Sequence, residues 1–125
     1  MVLTRVDKSR RLAIHTVDGE LSMNAVLAAM RSLYDDPEFE RDFGVVWDLS
    51  GNDLAISLRE IIYLDRQIVE FANQNRPDGR VAWVPATGFG AGIIKTLYRE
   101  HPWAQEWQTF TSLDEAIAWA SASPG

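Results

Sequence analysis

The chain has 125 residues, 46% of them hydrophobic, and its 12 Lys and Arg stand against 18 Asp and Glu for a formal net charge of -6. One domain spanning 1–125 can bury roughly two thirds of its unfolded surface, and the scattered basic residues offer no concentrated positive field for nucleic acid or an anionic membrane. There is no cysteine, which excludes disulfides, thiolate metal sites and a cysteine nucleophile together. Residues Met1 to Lys8 lack the apolar core of a secretory signal, and no apolar run approaches the ~20 residues that span a bilayer. The expectation is a cytoplasmic protein.

Val2 to Asp7 and Arg11 to Val17 are strand-like, and Asp7-Lys8-Ser9-Arg10 has hairpin length, which predicts an antiparallel N-terminal pair. His15 in the second strand reads as a cross-strand packing or hydrogen-bonding residue. Ser22 caps a helix from Met23 to Asp35, whose Met23, Val26, Leu27, Met30, Leu33 and Tyr34 follow the i, i+3, i+4, i+7 rule. Pro37 ends it, because the residue before a proline is pushed out of helical geometry.

Val45-Val46-Trp47 is apolar on both alternating faces, as a strand covered on both sides is. Asp48, Ser50, Gly51, Asn52 and Asp53 then supply turn chemistry, and Ser57-x-x-Glu60 is a capping box for a second helix to about Asn73. Asp65 falls in the middle of that helix's apolar face, between Ile61 and Val69. An unpaired carboxylate there costs several kcal/mol, so it must be paired, protonated or open to a cavity.

Pro77-Asp78-Gly79 turns the chain into a strand from Arg80 to Pro85. Thr87-Gly88-Phe89-Gly90-Ala91-Gly92 is a glycine-rich entry to a helix striped by Ile93, Ile94, Leu97 and Tyr98. Such an entry can offer backbone N–H groups to an anion, but it has neither the G-K-[ST] ending of a P-loop nor dinucleotide spacing. Close helix–strand packing explains the glycines as well. Two histidines, His15 and His101, make no metal spacing, and no cofactor is expected. Glu106 to Thr111 reads as a polar edge strand, and Ser112-Leu113-Asp114-Glu115 opens a final helix striped by Leu113, Ala116, Ile117 and Ala120.

The order after the hairpin alternates helix and strand, which implies right-handed crossovers and a mixed, mostly parallel sheet of about five strands with four helices. Ligands of open sheets gather at the carboxyl ends of the strands, here Asp48 to Asp53 and Pro85 to Gly90. Asp48, Ser50, Asp65, Thr87, Gly88 and Gly90 are therefore the candidate binding residues. The two turns are expected to emerge side by side on one rim.

Val45-Val46-Trp47-Asp48-Leu49-Ser50-Gly51, with a serine opening a helix some residues later, resembles the core of STAS domains, the group that includes bacterial anti-sigma factor antagonists. The stretch from Arg11 to Trp119, closing on Phe110-Thr111-Ser112-Leu113-Asp114-Glu115-Ala116-Ile117-Ala118-Trp119, is more similar to the SpoIIAA-like (STAS/SEC14-type) bacterial proteins. The resemblance implies a βα superhelix with four helices and, for the better-known relatives, regulation through a protein partner and by serine phosphorylation; pairing with a second copy of the chain is an expectation from the high count of five tryptophans instead. Ser57 matches the family's phosphorylated serine, without the acidic residue before it or the glycine after it. Two function classes follow: a non-enzymatic regulatory or interaction module, and a binder of an apolar or anionic small molecule at the strand ends.

Overall fold

The computed structural model describes residues 2–19, 22–51, 66–67, 70, 78–100 and 106–122. Five strands, β1 (Val2–Asp7), β2 (Leu12–Val17), β3 (Gly44–Leu49), β4 (Val81–Pro85) and β5 (Trp107–Thr109), form one sheet in sequence order. β1 and β2 pair antiparallel, and every later pair is parallel. Three helices are described: α1 (Met23–Asp35), α2 (Gly88–Glu100) and α3 (Leu113–Ser121). Of the helix expected from Ser57 to Asn73, only Arg66, Gln67 and Glu70 are described, and all three are helical.

The helix starts are set by side chains that satisfy free amides. Ser22 Oγ accepts from Ala25 N at 3.1 Å, and Ser112 Oγ accepts from Glu115 N at 3.4 Å. Asp36 has left helical geometry with ψ 121°, one residue before Pro37. Arg11 belongs to the hairpin turn instead of β2, with φ 54°, and its guanidinium pairs with Glu40 and Asp42 and covers the Phe43 ring.

All six residues of β3 are buried, as befits the middle strand. Its odd-numbered side chains enter one apolar layer with Ala13, Val17 and Val81, closed by Val26, Ala29 and Leu33 of α1 and by Ile94 and Tyr98 of α2. The even-numbered side chains face α3, where Leu12, Ile14, Val46, Ala82 and Val84 meet Ala116 and Ala120. α1 and α2 share a face because right-handed crossovers wound in one direction across the sheet stay on one side. α3 reaches the other side, and it sits so close to β3 that a Cβ on Gly44 would collide with the backbone carbonyl of Ala120. Arg80 fastens this contact, donating to the Trp119 carbonyl at 3.1 Å and lying over the Trp119 ring.

Strand boundaries differ from the sequence reading at Arg11, as above, at Arg80, since β4 begins at Val81, and at both ends of β5. β5 covers Trp107 to Thr109 only, since Phe110 turns away to pack with Leu113 and Trp119 on the α3 side. Phe110 N still donates to the Trp83 carbonyl at 2.8 Å, so the pairing ends there instead of at Thr111.

Candidate functional site: the carboxyl rim and the rings behind it

β3 and β4 leave the sheet from the same rung, Leu49 opposite Pro85, so the turns that follow them emerge side by side. β2 ends on the same rim. Gly51 lies against it, and a Cβ there would stand 3.8 Å from the Val17 carbonyl oxygen.

The candidate residues of the first turn are occupied with one another. Asp48 is buried, on the α3 side of β3, and its Oδ1 accepts from Ser50 N at 3.1 Å and Ser50 Oγ at 2.6 Å. This is the self-bonded turn that aspartate favours, and it gives the chain its reversal. In the second turn Thr87 Oγ1 accepts from Gly90 N at 3.2 Å and so caps α2. Gly88 is exposed and Gly90 is buried. The structure therefore brings Asp48, Ser50, Thr87, Gly88 and Gly90 to one edge, and it uses the side chains of Asp48, Ser50 and Thr87 to build the turns. Asp65 and Ser57 lie outside the described residues.

Phe89 was not among the candidates, and it is the most exposed large hydrophobic residue described, at 75%. It stands in the first turn of α2, on the rim. Its position was readable in the letters: at the helical step, Phe89 points about 140° away from the Ile94 direction that enters the core.

Behind the rim, on the α1 and α2 side, aromatic rings run across the strands. His15 stacks on Trp47 with centroids 4.0 Å apart, and Trp47 stacks on Trp83 at 5.5 Å. These are neighbours in strand register, His15 opposite Trp47 and Trp47 opposite Trp83. Trp83 Nε1 donates to the Tyr98 hydroxyl at 3.1 Å, and Tyr98 lies on Trp107 at 4.1 Å. Burial raises the Tyr98 phenol well above its ordinary pKa, against the Trp83 hydrogen bond that lowers it.

His15 is fully buried, and its Nδ1 is 2.8 Å from the hydroxyl of Thr4, its cross-strand partner. Its Nε2 has no hydrogen-bond partner among the described residues. Desolvation lowers the imidazole pKa from 6.5 to about 4, so the ring is neutral at physiological pH. Packing and cross-strand hydrogen bonding, the role read from sequence, are both present.

Among the described residues no group of three or more His, Cys, Asp or Glu side chains could hold a metal ion, and no helix is long and apolar enough to cross a membrane. Comparison with known proteins gives no match, whether to a family model, a curated protein or a solved structure.

Proposed function

We propose that the protein is a non-enzymatic, STAS-like interaction module that docks another protein through the carboxyl rim of its sheet. The observation that carries this reading is Phe89, an aromatic side chain 75% exposed at the start of α2, beside the turn at Ser50 and Gly51. Aromatic rings of this kind are enriched at the cores of protein interfaces, where a partner's pocket buries them, and leaving the ring in water has no benefit to the fold.

Two further features favour docking over catalysis or ligand capture. The strand order runs from β2 to β5 without a reversal, and it is at a reversal that diverging crossovers open the crevice in which α/β sheets bind small molecules. The hydroxyl proton of Ser50 is given to Oδ1 of Asp48, and Thr87 is used as a cap, so these side chains are engaged in building the turns.

A photo-crosslinking phenylalanine analogue tests the reading in the cells that make the protein. At position 89 it should capture one discrete partner, and at the exposed Ala118 of α3 it should not. Phe89→Ser should abolish that complex without lowering Tm. Equal crosslinking from both positions, or a complex that survives Phe89→Ser, would remove the basis for the proposed surface.

A further inference from the structure

We propose that the outer edge of β1 is a homodimer interface, at which two copies pair antiparallel about a two-fold axis through Thr4 and join their sheets. β1 ends the strand order, and among the described residues only β2 pairs with it. An edge strand presents unpaired N–H and C=O groups, a template for a further strand. Leu3 is 59% exposed, on the face where α3 covers β3 and β4 and reaches β2. Thr4 and Arg5 are exposed as well, and Arg5 forms none of the ion pairs found among the described residues.

β1 reads Val2-Leu3-Thr4-Arg5-Val6, with a valine on either side of Thr4 and an apolar Leu3 placed to meet the long stem of Arg5. Antiparallel pairing there sets Val2 opposite Val6, Thr4 opposite Thr4, and Leu3 opposite Arg5 of the other copy. The aliphatic stem of that arginine then covers the exposed leucine while its charge stays in water. Directly opposed residues are the unit of sheet stabilisation, and no like charges are opposed in this register. An axis through Arg5 would oppose two guanidinium groups. An axis through Val6 would set Leu3 against Ser9 in the turn, and would draw on Asp7, whose carboxylate already accepts from Ser9 Oγ and Arg10 N. Moving the axis by half a residue turns one sheet over relative to the other. The self-complementary fit is what selects a second copy: the strand supplies from its own Arg5, Thr4 and Val6 the partners that Leu3, Thr4 and Val2 take in this register.

Sedimentation velocity over a concentration series tests the pairing with whole chains. The wild type should form a dimer. Leu3→Lys places a lysine opposite Arg5 at two symmetric positions, which should weaken the dimer about tenfold. Leu3→Lys combined with Arg5→Glu turns both positions into ion pairs and should restore it. Both residues are exposed, so the fold tolerates these changes, as a far-UV spectrum would verify. The chain has no cysteine, so Thr4→Cys, opposed to itself across the axis, should give a disulfide-linked dimer on mild oxidation, whereas Val2→Cys should not. A wild type that sediments as a monomer at every concentration overturns the proposal. So does a dimer indifferent to Leu3→Lys, or one that Val2→Cys traps as readily as Thr4→Cys.

Discussion

The neutral imidazole of His15 makes folding sensitive to acid. The folded pKa, about 4, lies below the ordinary imidazole value of 6.5, so the unfolded chain takes up the proton first as pH falls. The contribution of this residue to stability is intact above about 6.5, declines by ~1.4 kcal/mol per pH unit below that, and is lost by about 3 kcal/mol once the pH is under the folded value. Urea unfolding of the wild type and of His15→Leu across this window should show the slope in the first and its reduction in the second. At neutral pH the variant should lose the ring stacking on Trp47 and keep its hydration cost low, because its former partner Thr4 is exposed. The sequence placed His15 in a covered strand, which period-two alternation is enough to do. It could not say that one ring nitrogen would find Thr4 and the other no partner among the described residues, because that depends on which elements lie alongside. Phe89 shows the opposite case: its outward angle was computable from helical spacing, but the glycines around it held the reading to the backbone, as an anion-binding turn or a close helix–strand approach, and not to the ring.

At the scale of the element, legibility follows the strength of local chemistry. α1 runs from Met23 to Asp35 as read, because a serine cap, an apolar stripe and a proline all specify the same span. β5 was overextended, since the polar alternation of Glu106 to Thr111 does not reveal that Phe110 is drawn to Trp119, 5.6 Å away between ring centroids. The contact between α3 and β3 was not legible either. Gly44 sits at the start of a strand, where glycine usually marks little, and its purpose appears only when the backbone of Ala120 arrives. Gly44→Ala should therefore destabilise the protein by about 3 kcal/mol, read as a lower denaturation midpoint at unchanged m-value. The same substitution at the exposed Gly88, where an added Cβ meets nothing within 4 Å, should be tolerated.

For the molecule as a whole, the adjacency of the two turns was the expectation on which every site residue rested, and the pairing of Leu49 with Pro85 bears it out. It was legible because alternating strands and helices leave few topologies. The absence of a reversal between β2 and β5 was not, since strand order is decided by long-range packing and leaves no local mark. Charge acts at this scale too. Two copies carrying -6 each repel across any shared interface, so a dimer of this protein should tighten as salt is raised from about 10 mM to 150 mM, where screening shortens from ~30 Å to ~8 Å. A sedimentation series in added chloride would read the trend, and a dimer that loosens with salt would mean that ion pairs dominate the contact.

The placement of α3 also bears on how the protein is made. The segment from Leu113 to Ser121 supplies the described cover for Leu12, Ile14, Val46, Ala82 and Val84, and it leaves the ribosome after all of them. A nascent chain halted ahead of Leu113 would present those five apolar residues as one open surface, a target for chaperones and proteases until synthesis resumes. Emergence of this segment is thus also the moment at which that surface stops looking unfinished to the cell.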